Sequence, residues 1–134
     1  MTEAAKREIQ SLFESHQEYE QIQERLLADP IIQIAMLIKQ GNWQEAHHIA
    51  QAHEGNPEAD YWHGIIHLIE GDDWNANYWF NRSKKLSQDL QLKSTEYKKE
   101  ESHVWMKLTR HAIQRIQSEC KTSESLVLRR TFLW

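Results

Sequence analysis

The sequence predicts an all-α fold, a single domain of about six helices with helical hairpins at its centre and longer helices at both ends. Three observations predict it. Apolar residues recur at steps of three and four, and no run alternates with period two. Asx-Pro pairs and glycines punctuate the chain at intervals of helix length. Gln, Glu, Leu, Ala, Ile and Lys recur and favour helix, and only four Gly and two Pro are present. The 134 residues suffice for one core of their own.

Residues 3–27 place Ile9, Leu12, Phe13, His16, Tyr19 and Leu26 on one stripe, which reads as a single amphipathic helix. Asp29-Pro30 is a start signal, with Asp as N-cap and Pro at the first helical position. The helix that follows carries Ile31, Ile34, Ala35 and Ile38 and ends at Gly41. Asn42 caps the next helix, from Trp43 to about Glu54, with Ala46, Ile49, Ala50 and His53 as its inner stripe. Asn56-Pro57 repeats the cap-and-proline signal. The helix it starts runs to Glu70 and is closed by Gly71. Asp72 or Asp73 then caps a further helix, Trp74 to about Leu86. Residues 90–118 read as one long helix with Val104, Trp105, Leu108, Ala112 and Ile116 on its apolar stripe. Residues 121–134 keep Leu126, Val127, Leu128, Phe132, Leu133 and Trp134, too many large apolar groups for a solvated tail. They are expected to dock on the body, form a short final helix, or build a homodimer.

An internal repeat is visible. Gly41-Asn42-Trp43-Gln44-Glu45-Ala46 aligns with Gly71-Asp72-Asp73-Trp74-Asn75-Ala76, about thirty residues on. Gly64, Gly71, Ala76, Phe80 and Ser83 follow the small-and-large spacing of a tetratricopeptide repeat, which the region 31–86 resembles. The resemblance implies paired helices in close contact, with Phe80 filling the gap between small residues.

Composition narrows the function classes. The formal net charge is −4 and no basic stripe is present, which argues against a nucleic-acid surface. The single cysteine, Cys120, excludes an intrachain disulfide framework and a Cys-based zinc site. No apolar run follows the charged first residues, and none approaches a membrane span, so a cytoplasmic protein with no membrane partner is expected. There is no Gly-rich phosphate loop and no nucleophile elbow.

The candidate site lies at the corner around Gly71. On helical geometry His63, His67 and Glu70 share one face of the helix before it, beside a core stripe of Trp62, Ile65, Ile66 and Ile69. Asn75, Tyr78 and Arg82 share a face of the helix after it, and Asp72 sits in the turn. Three readings of these residues compete. In a structural reading Glu70 pairs with Arg82, and His67 is a packed imidazole. In a binding reading the corner holds a small polar ligand or a protein segment. In a metal-assisted reading His63-x3-His67 with Glu70 presents ligands to an ion, and His47 or His48 adds one more, only one of the two facing inward. His-x3-His alone is a weak signal, so no metal ligand and no cofactor is assigned.

The string His67-Leu-Ile-Glu70-Gly71-Asp72-x-x-Asn75-Ala76-x-Tyr78-Trp79-Phe80-x-Arg82 resembles the signature of a small family of bacterial and fungal proteins. Its pattern is His-x-x-Glu-Gly-Asp-x-x-Asn-Ala-x-Tyr-Trp-[Tyr/Phe]-x-Arg, and the match spans about residues 60–83. Ser83 departs from the small Ala usual there. The resemblance implies that His67, Glu70, Asp72, Asn75, Tyr78, Trp79 and Arg82 are hallmark positions, and it implies no activity. The function expected is therefore a helical binding module working through His63, His67, Glu70, Asp72, Asn75, Tyr78 and Arg82. The alternative is a small hydrolase or lyase, with His67 as base and Glu70 or Asp72 orienting it.

Overall fold

In a computed structural model, residues 3–93, 97 and 101–132 are described, with side chains described up to residue 121. The described residues form eight helices and no strand. They are α1 (Glu3–Gln10), α2 (His16–Ala28), α3 (Pro30–Lys39), α4 (Trp43–Ala52), α5 (Pro57–Ile69), α6 (Asp73–Arg82), α7 (Lys84–Asp89) and α8 (Glu101–Phe132). No helix among the described residues is long and apolar enough to cross a membrane.

Local chemistry starts the central helices as expected. Asp29 accepts from the amides of Ile31 and Ile32 at 2.9 and 3.3 Å, and Pro30 opens α3. Asn56 does the same for Glu58 and Ala59 ahead of Pro57. Each cap satisfies helix amides that have no partner within the helix. The corners after α3 and α5 close in the same way. The amide of Asp72 bonds the carbonyl of His67 at 2.8 Å, and that of Gly71 bonds Leu68 at 3.1 Å. Asn42 and Gly41 make the matching bonds to Leu37 and Ile38. This closure needs a left-handed residue, and Gly71 supplies it with φ of 83°.

Packing follows chain order. α3 lies against α4, α4 against α5 and α5 against α6, while α8 crosses α3 and α2. Burial on α3 is wider than one stripe: Ile32, Met36 and Leu37 are buried as well as Ile31, Ile34, Ala35 and Ile38. A helix contacted by α1, α2, α4, α5 and α8 has little solvent face left. Trp105 of α8 anchors the crossing, donating its indole N–H to the carbonyl of Ala35 at 2.9 Å. Lys39 caps the same ring, 4.6 Å from its centroid.

Charged groups also tie α8 down. The Arg115 guanidinium donates to both carboxylate oxygens of Glu58, and to Asp29 at 3.1 and 3.2 Å. His111 meets Glu58 at 2.7 Å. Burial alone would lower the Arg115 pKa, but the bonds to Asp29 and Glu58 outweigh it and raise the pKa above its ordinary value.

The hairpin of α5 and α6 is closer than side chains usually allow. A Cβ on Gly64 would lie 2.7 Å from two ring atoms of Phe80 and 3.1 Å from the carbonyl oxygen of Ala76. Phe80 thus sits on bare backbone, and its ring also packs against Tyr61 at a centroid distance of 4.9 Å.

Four elements differ from expectation. The single N-terminal helix is two. After α1 the bonds tighten to Leu12→Ile9 and Phe13→Gln10, and Ser15 restarts the chain in extended conformation as N-cap for Glu18. The turn sets Phe13 edge-on to Tyr19 at 5.4 Å. The helix expected from Trp74 to Leu86 breaks at Ser83, whose hydroxyl donates to the carbonyls of Trp79 and Phe80. No helix spans 90–118, because Gln91 is left-handed with φ of 55° and ends the turn after α7. α8 instead continues to Phe132, so the backbone of residues 121–132 extends this helix rather than forming a separate tail. The apolar side chains expected to dock there lie outside the described side chains.

Gly64→Ala should destabilise the chain by about 1–3 kcal/mol through overpacking. Urea unfolding of Gly64→Ala, Phe80→Ala and the double variant should show coupling, the double costing less than the sum. Strict additivity would mean that the two helices do not depend on this contact.

Candidate functional site

The predicted site residues divide into two groups around α6. The first is a ring cluster. His63 is 3% exposed, and the indole of Trp79 stacks on it at 3.8 Å with 15° between planes. One turn further along α5, His67 stacks on the other side at 5.0 Å. His47 reaches in from α4, edge-on to both rings. Its Nε2 lies 2.9 Å from Nε2 of His63, a hydrogen bond in which one ring carries the proton. His48 points outward.

The cluster leaves polar atoms unused. Nδ1 of His63 and Nδ1 of His67 are buried, with no hydrogen-bond partner among the described residues. Buried groups of this kind normally find a partner. Nδ1 of His67 faces Glu70 and Asp72, but at 3.8 Å from each, too long for a hydrogen bond. Burial, and then the neighbouring imidazoles of His47 and His67, hold the His63 pKa down to about 4. Burial likewise lowers that of His47, with His67 adding to it and Glu70 opposing it.

Asp72 serves the corner locally. It accepts from the Asn75 amide at 3.2 Å and from the Asn75 side chain at 2.5 Å. Those two bonds, side chain first, keep its pKa below the ordinary carboxylate value. Asn75 is thereby committed to the turn.

The second group lies along the outside of α6. Trp74 is 79% exposed and Tyr78 48% exposed, one turn apart. Arg82, a further turn on, donates to the Tyr78 hydroxyl at 3.2 Å and lies 5.1 Å from the Trp79 ring centroid. The pair of Glu70 with Arg82 does not form. Arg82 instead meets Glu54 at 2.9 Å and stands 4.0 Å from Asp60. Glu70 is held toward His67 at the far end of α5, out of line with the end of α6.

The structure thus joins His63 and His67 with Glu70 and Asp72 nearby, and places Tyr78 and Arg82 on a separate stripe. Of the adjacent pair, His47 faces inward and His48 outward. The inner position follows the register of Ala46 and Ala50, both fully buried on the same helix. Glu54, as partner of Arg82, carried no signal along the chain. Comparison of the chain with protein families, with curated proteins and with solved structures finds no match.

The sign of the pH effect follows from the His63 pKa. The unfolded chain takes up this proton near its ordinary value, the folded chain only near 4. Between the two the unfolded state binds more protons, so stability falls as pH drops through that window. The loss from this group should approach roughly 3 kcal/mol by about pH 4. His63→Phe, which keeps a ring against Trp79, should flatten this part of the stability curve. Identical pH profiles for the two proteins would contradict a neutral, buried His63.

Proposed function

We propose that the chain is a helical binding module whose working face is the corner of α4, α5 and α6, and that it docks a segment of another protein. The observation that carries this is the exposed stripe of Trp74, Tyr78 and Arg82 along α6. Tyr, Trp and Arg are the residues most enriched at the energetic centres of protein interfaces. Here the Tyr78 hydroxyl and the guanidinium are already bonded to each other, so little side-chain entropy is lost when a partner covers them. In this reading α3–α4 and α5–α6 act as two tetratricopeptide-like hairpins. Support comes from the matching closures at Gly41 and Gly71 and from the close seat of Phe80 on Gly64.

The enzyme alternative, with His67 as general base, has less support. Its Nδ1 stands 3.8 Å from either candidate orienting carboxylate, beyond the reach of a base and its orienter.

Trp74→Ala/Tyr78→Ala should fold with stability within about 1 kcal/mol of the parent, since neither side chain is buried. Both proteins, immobilised, would be exposed to the same cell extract and the retained proteins compared by mass spectrometry. The parent should hold a defined set that the variant loses. The same set on both would remove the α6 stripe as the docking face.

A further inference from the structure

Three imidazoles from two helices converge beneath α6. One ring nitrogen from each of His47, His63 and His67 lies within 4.8 Å of the other two. Nε2 of His47 and Nε2 of His63 are already 2.9 Å apart. Around a tetrahedral ion with bonds of about 2.05 Å, neighbouring nitrogens stand about 3.3 Å apart, so the set is completed by closing separations by up to about 1.5 Å, shared among three rings.

We infer that His47, His63 and His67 form a binding site for a divalent transition-metal ion of the class that imidazole favours, such as zinc, cobalt or nickel. The donors decide the class. Three neutral ring nitrogens suit these ions, whereas magnesium and calcium take oxygen. A second, independent observation points the same way. The hydrogen bond between His47 and His63 satisfies one nitrogen of each and leaves buried Nδ1 atoms of His63 and His67 without a partner.

The surroundings suit an ion as well. Trp79, stacked on His63, fixes one ligand ring before binding. Glu70 and Asp72 place carboxylates 3.8 Å from Nδ1 of His67. At that distance they make no hydrogen bond to the ring, but their negative charge lies beside the three nitrogens and favours a cation there. Three protein nitrogens leave a fourth tetrahedral position for water or a partner's donor group. This inference stands on the rings alone and not on the exposed stripe of α6.

The test uses the full chain, stripped with a chelator and dialysed. Zn²⁺ is titrated by calorimetry, and Co²⁺ by its visible absorption, into the parent and into His47→Ala, His67→Ala and His48→Ala. The expected result is one saturable site per chain, a visible spectrum of cobalt bound to nitrogen, and no change in His48→Ala. Affinity should fall by about 100-fold or more in His47→Ala and His67→Ala. Circular dichroism confirms that each variant is folded. Should His67→Ala lose its fold, His47→Ala, altered on the half-buried face of α4, decides the question. No saturable binding of either ion by the parent, or equal affinity in folded His47→Ala, overturns the inference.

Discussion

The contact between Gly64 and Phe80 is the constraint on which the corner depends. Gly64 offers no Cβ, so the Phe80 ring rests on backbone that any side chain would occupy. That sets the distance between α5 and α6. Neighbouring residues inherit the consequence: Trp79, next to Phe80, reaches His63, next to Gly64, and stacks on it. The Nε2 edge of His63 then meets Nε2 of His47, which comes from α4. The missing methyl group thus sets the seat of Trp79 on His63, while the approach of α4 to α5 brings His47 to the same rings. The energy at stake is that of overpacking, about 1–3 kcal/mol, a large fraction of the stability of a small domain.

A second constraint works at the other end of α5. Asp29 and Glu58 sit at the starts of α3 and α5, and Arg115 binds both from α8. Asp29 therefore caps one helix and anchors another with the same carboxylate. Acidic groups at helix N-termini are favoured there already, and the guanidinium adds charge-assisted bonds. This network and Trp105 attach α8 to the body through groups that lie outside the Gly71 corner.

Local chemistry was legible in the sequence; contacts between distant residues were not. Asp29-Pro30, Asn42, Asn56-Pro57 and Asp72 announce helix starts because each acts on amides two or three residues away. Gly41 and Gly71 announce ends for the same reason. The break before α2 was hidden because Leu12, Phe13 and Tyr19 keep a helical spacing across it, although Ser15 and Glu18 carry the capping pattern. Gln91 in the left-handed region gives no warning, since glycine is the usual resident. At the site, His63 and His67 were legible as one face of α5. Choosing His47 over His48 needed the crossing of α4 on α5. Glu54, which meets Arg82, and Asp29 and Glu58, which meet Arg115, lie far from them along the chain, and no periodicity encodes these pairs.

The corner therefore combines two features with different origins: a ring cluster built by helix approach, and an exposed stripe presented by α6. The first makes the sharper claim, that three imidazoles brought together by α4 and α5 form a coordination site. Diffraction from crystals grown with one equivalent of zinc, recorded on both sides of its absorption edge, tests this most directly. The account predicts one anomalous peak inside the triangle of His47, His63 and His67, with Trp79 still stacked on His63. A map whose peaks lie only at surface groups such as His16 and Glu20, with none between the three rings, would contradict it.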